Sequence, residues 1–146
     1  VFCNCSSQES LLRLLRNPEK ARLWVGLCED WAGEENPAES FLIARACSGT
    51  LAGASQDAEV STALINENIG SAITALLESG NLELIHRALV IVEALIESGG
   101  KDASLNLLEN GVVVGISKAH KVIQGTPNLV SLAQEIAQTL SATIKS

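Results

Sequence analysis

Residues 81–99 read NLELIHRALVIVEALIESG, and as a helix their polar side chains gather on one narrow arc: Glu83, His86, Arg87, Glu93 and Glu97. Val90 and Ala94 are the only apolar positions inside that arc. Leu84, Ile85, Ala88, Leu89, Ile91, Val92, Leu95 and Ile96 cover the rest of the circumference. A helix apolar over so much of its girth needs neighbours on both flanks and leaves one ribbon to solvent. That is the position of an inner helix in a stacked helical solenoid.

The same patterning predicts helices on either side. A short one spans about residues 8–16, with Leu11, Leu12 and Leu15 on one face, and Asn17-Pro18 both stops it and starts the next. Residues 19–31 place Trp24, Leu27, Cys28 and Trp31 at helical spacing. Gly33 and Asn36-Pro37 then open a longer helix over residues 37–54, rich in Ala, Gly and Ser. Asp57 reads as the N-cap of a helix over residues 58–66, and residues 69–79 carry a stripe of Ile69, Ala72, Ile73, Leu76 and Leu77. Gly80-Asn81 turns the chain into the central helix, which Gly99-Gly100 ends as a left-handed cap would. Helices follow at 101–109, 112–123 and 127–145, punctuated by Gly111 and Gly125-Thr126-Pro127. The opening VFCNCSS reads as the tail of an earlier element, so a fragment of a longer chain is expected.

Short, medium and long helices thus recur three times, in units of about residues 8–55, 57–98 and 101–145. Adding 42 to Phe41, Arg45, Ser48, Ala52 and Ser55 gives Glu83, Arg87, Val90, Ala94 and Glu97, all on the central helix's arc. Asn68 and Asn110 stand at the same offset, and Ala88 and Ala133 are 45 apart. A three-helix unit of this length has the armadillo/HEAT period. The expected fold is all-α: one domain, an armadillo/HEAT-like right-handed α-solenoid. Its long helices would line a concave groove with Phe41, Arg45, Ser48, Glu83, His86, Arg87, Val90, Glu93 and Glu97. The last long helix would add Asn128, Ser131, Glu135 and Gln138, with Ala142 beyond them. A solvated helix face, with Arg45 and Arg87 bridging adjacent units through glutamates, is the plainer reading of the same charges.

Composition fits that picture. The chain is 47% hydrophobic but 3% aromatic, so its core is built from Ala, Leu, Ile and Val, which favours helices over a β-sandwich. A net charge of −7 without a Lys/Arg stripe makes nucleic acid and anionic membrane poor partners. No apolar run approaches the ~20 residues of a membrane span. Cys3, Cys5, Cys28 and Cys47 form no CxxC pair, so reduced thiols in a cytoplasmic setting are expected.

Candidate chemistry is thin. Glu83 and His86 make an ExxH pair, but di-metal bundles need it twice, and His120 has Ser117 where the second glutamate belongs. Cys47 with His86 lacks a third, orienting group. Gly99-Gly100 has no following Lys-Ser/Thr and cradles no phosphate. Trp24 and Trp31 suit packing between helices. The expectation is a protein without enzymatic activity, cofactor or metal.

Three blocks carry a resemblance: Leu27-Cys28-Glu29-Asp30, then Ala46-Cys47-Ser48-Gly49-Thr50-Leu51-Ala52, then His86-Arg87-Ala88-Leu89-Val90-Ile91-Val92. In order and spacing they resemble the C-terminal armadillo repeats of the UCS-domain myosin chaperones, and Phe2-Cys3-Asn4 is similar to the end of a preceding long helix there. The resemblance spans nearly the whole chain. It implies a cytoplasmic chaperone or co-chaperone that holds myosin motor segments. In that family a TPR segment, of which this chain shows no signature, recruits the heat-shock ninety chaperone. The alternative is a non-catalytic armadillo scaffold for protein–protein interaction or self-association. Nuclear-import receptors of the armadillo type carry Trp on their long helices, and the long helices here have none.

Overall fold

A computed structural model describes residues 5–33 and 35–145. Among the described residues eight helices follow one another: α1 (Cys5–Leu15), α2 (Pro18–Glu29), α3 (Pro37–Ala54), α4 (Ala58–Asn66), α5 (Ile69–Leu77), α6 (Leu82–Glu109), α7 (Val112–Ile123) and α8 (Pro127–Lys145). No strand occurs among the described residues. The predicted starts hold because the caps are chemical. Asn17, Asn36, Asp57 and Asn81 each accept a backbone N–H of the first turn through a side-chain oxygen, and proline occupies the first turn of α2 and α3. Asn68 and Gly111 open α5 and α7 in the left-handed conformation instead.

Three boundaries differ from the expectation. Helix α1 begins at Cys5, three residues before the predicted start, while Phe2, Cys3 and Asn4 lie outside the described residues. Trp31 lies past the end of α2, in a turn, where its indole Nε1 donates to the carbonyl of Ala75 at 2.9 Å. Gly99-Gly100 breaks the central helix without ending its hydrogen-bonded run. Gly100 takes φ 61, ψ −143, so α6 is two helical limbs, residues 82–99 and 101–109, joined at a kink.

The long helices form one row, α3 against α6 and α6 against α8. A second row runs α2, α5, α7, and α1 packs on α4. The architecture is all-helical and compatible with an α-solenoid. One apolar cluster runs through it, and its fully buried large side chains are all leucine and isoleucine. That follows from the scarcity of aromatics: aliphatic residues must fill the space at native density.

Burial sets the phase of each long helix. On α3 the buried positions include Ala44, Cys47, Leu51 and Ala54; on α6 they include Ile85, Ala88, Val92 and Leu95, an offset of 41 residues. From α6 to α8, Leu84, Ala88, Ile91 and Leu95 correspond to Leu129, Ala133, Ile136 and Leu140, an offset of 45. The first offset corrects the expected 42. One residue is 100° of helix, and the error would put Ser48 and Ser55 on the exposed ribbon, whereas both are 0% exposed. Their hydroxyls stay inside at low cost by bonding carbonyls of their own helix. Ser48 Oγ donates to Arg45 at 3.1 Å, and Ser55 Oγ to Leu51 at 2.6 Å.

Polar side chains tie consecutive helices of each row. Arg16 clasps Asp57 through Nη2 and Nε at 2.8 and 3.1 Å. Ser61 and Ser98 both donate to the carbonyl of Ser55, at 3.0 and 2.9 Å. Asn110 Nδ2 donates to Asn68 Oδ1 at 2.8 Å, joining the two asparagines whose 42-residue separation the sequence displays.

Candidate functional site

The exposed ribbon of the long-helix row follows from the burial phase. On α6 it runs through His86, Glu93 and Glu97, all exposed, with Val90 half-buried among them. On α8 the offset of 45 carries it to Ser131, Glu135, Gln138 and Ala142, and Asn128 stands exposed before them. On α3 it passes Arg45, Gly49 and Gly53, and Gln56 continues it in the turn beyond the helix. The last three went unrecognised in the sequence, because a glycine-rich face gives a helical wheel little polar contrast.

Of the expected groove residues, Ser48 is buried and contributes nothing to a solvent-facing floor. Phe41 is half-buried and packed against the core. Ala94, expected to offer apolar contact, is only 5% exposed. The other expected residues keep at least partial exposure.

The α3–α6 seam is closed by its own charges. Arg45 Nε donates to Glu83 Oε1 at 2.6 Å, and Arg87 Nη2 reaches the same oxygen at 3.0 Å. Arg87 Nη1 donates to the carbonyl of Arg45. The guanidinium lies over Gly49, where a Cβ would stand 3.2 Å from its central carbon. Glycine there lets Arg87 lie flat across the seam. Arg45 first, and Arg87 with it, hold the Glu83 carboxyl below the usual carboxylate range. Arg45 and Arg87 therefore bridge the helices, as the plainer reading of these charges expects.

The α6–α8 seam differs. A cleft of about 190 Å³ opens there, lined by Glu93, Ile96, Glu97, Leu132, Glu135, Ile136 and Thr139. None of its three carboxylates has an ion-pair partner among the described residues. Arginine and lysine side chains serve the other seams, at Asp57, Glu67, Glu78 and Glu83.

The geometry assembles no catalytic constellation on these residues. Cys47 is buried, and burial raises its thiol pKa, while His86 is exposed. Burial, with Cys47 nearby, pushes the Cys28 thiol up to about 12. Glu83 of the ExxH pair is engaged by arginines. No group of three or more His, Cys, Asp or Glu is placed to hold a metal ion among the described residues. No helix among them is long and apolar enough to cross a membrane. Compared with known proteins, the chain matches no family model, no curated protein and no solved structure.

Proposed function

We propose that the chain is a C-terminal client-holding module of a myosin-directed chaperone or co-chaperone, an armadillo-like right-handed solenoid of three three-helix units. In this reading α1–α3, α4 with α5 and the first limb of α6, and the second limb of α6 with α7 and α8 are successive tiers. The long helices form the floor of a concave groove that receives motor segments as they fold. The module works in the cytoplasm, and the heat-shock ninety chaperone is recruited through a segment outside this chain. The observation that carries the reading is the common phase of the long helices. Their buried stripes repeat at offsets of 41 and 45 residues, which supports a common face for their polar ribbons. The quoted sequence blocks supply the myosin assignment.

A held client needs contacts and no bond chemistry, and the ribbon of His86, Val90, Glu93, Glu97, Ser131, Glu135 and Gln138 offers mixed polar and aliphatic contacts of that kind. The test is thermal aggregation of a myosin motor domain, followed by light scattering. Stoichiometric chain delays aggregation and co-purifies with the motor, and an unrelated helical-repeat protein does neither. Equal behaviour of the two overturns the assignment.

The closed Arg45–Glu83–Arg87 bridge favours a second reading, in which the stack is a scaffold whose surface charges only join its helices. Glu93→Lys separates the two, because Glu93 is exposed and has no ion-pair partner among the described residues. A scaffold tolerates the reversal, whereas a client groove loses affinity.

A further inference from the structure

The two seams of the long-helix row differ in a way that specifies an occupant for one of them. Between α3 and α6, arginines neutralise Glu83, and the Arg87 guanidinium lies over Gly49. Between α6 and α8, Ile96 and Leu132, both half-buried, and Ile136, 3% exposed, form an apolar floor. Glu93 and Glu97 from one helix and Glu135 from the other stand around it, exposed. At about 190 Å³ the cleft is smaller than the roughly 300–1,000 Å³ of small-molecule pockets, which suits a single side chain projecting from a longer segment.

The geometry points to a docking groove for an extended peptide segment in which lysines or arginines flank a large aliphatic residue. The aliphatic side chain enters between Ile96 and Leu132 and leaves water. The flanking cations meet carboxylates that no side chain among the described residues neutralises. Charge complementarity selects this occupant over the others. An acidic or phosphorylated segment meets three like charges, and a purely apolar helix leaves those carboxylates dehydrated without partners. The inference rests on the groove reading above and narrows it: the client segments favoured at this end are basic and aliphatic.

Three labelled eight-residue peptides test it by fluorescence anisotropy: Lys alternating with Leu, Glu alternating with Leu, and Lys alternating with Ser. The Lys/Leu peptide binds at low salt, and the other two bind at least about tenfold more weakly. The triple variant Glu93→Gln, Glu97→Gln, Glu135→Gln weakens the Lys/Leu peptide about tenfold, as expected for three exposed charge pairs of modest strength each. Glu19→Gln, Glu35→Gln, Glu109→Gln makes the same change in net charge away from the cleft and leaves affinity unchanged. Equal binding of the Glu/Leu peptide, or equal loss in the two triple variants, overturns the groove. A motor domain that fails to bind while the Lys/Leu peptide still does sinks the chaperone reading and leaves this one standing.

Discussion

The same substitution, glycine to alanine, should have opposite signs at two positions of this chain. Gly26 lies inside α2, exposed, with nothing within 4 Å of where a Cβ would project. Alanine there removes backbone entropy from the unfolded chain and meets no obstacle, so Gly26→Ala stabilises by about 0.8 kcal/mol. Gly70 is the second residue of α5, seated on the end of α6. Its Cβ would stand 2.8 Å from Asn106 Oδ1, 2.9 Å from Asn110 Cβ and 3.0 Å from Asn110 Nδ2. Asn110 cannot swing clear, because its Cβ is fixed to the backbone and its amide is bonded to Asn68 Oδ1 and the Asn106 carbonyl. Either α5 shifts or that bridge breaks, at a cost of about 1–3 kcal/mol. The two variants therefore differ by about 2–4 kcal/mol. With a urea slope of about 2 kcal/mol/M, their unfolding midpoints separate by more than about 1 M, on opposite sides of the wild type. Equilibrium urea unfolding followed by far-UV circular dichroism measures it. A Gly70→Ala midpoint at or above the wild type would refute the close seating of α5 on α6.

Two further outcomes follow from the charges and thiols. Arg16 holds the Asp57 carboxyl below its usual range, so the pair's contribution is present above the unfolded aspartate value of about 3.9 and is lost as pH falls through the folded value. Asp57→Asn preserves an N-cap for α4, so its urea midpoint lies below the wild type at neutral pH and converges on it below about pH 4. A gap that persists unchanged to pH 3 would contradict this. The Cys28 thiol, pushed up to about 12 by burial, remains unalkylated by iodoacetamide at pH 8 in the folded chain and reacts on unfolding in urea. Peptide mapping by mass spectrometry reads that site separately, and rapid native labelling of Cys28 would show that it is not enclosed.

How far the fold could be read from the residues depended on what marked each feature. Helix starts were legible because Asn17-Pro18, Asn36-Pro37, Asp57 and Asn81 are local chemical devices that act wherever the chain places them. The phase of α3 was not. Arg45 and Arg87 look like counterparts 42 residues apart, yet they are neighbours across one seam, converging on Glu83. The glycines and serines of α3 conceal the true phase. A serine is a polar letter in a sequence, but it is at home in a core once its hydroxyl bonds a carbonyl one turn back. The polar ribbons of α6 and α8 were legible because those helices contrast isoleucine and leucine with glutamate and glutamine. The contrast between a sealed seam and an open one depends on which side chains meet across helices, and a single helix's pattern does not carry it.

Amide hydrogen exchange on the chain, with and without a bound myosin motor domain, tests the central claim most directly. The account predicts added protection along residues 82–99 of α6 and along α8, with α1, α4 and residues 101–109 unchanged. Protection confined to those outer helices, or none with the motor bound, would contradict a groove floored by the long helices.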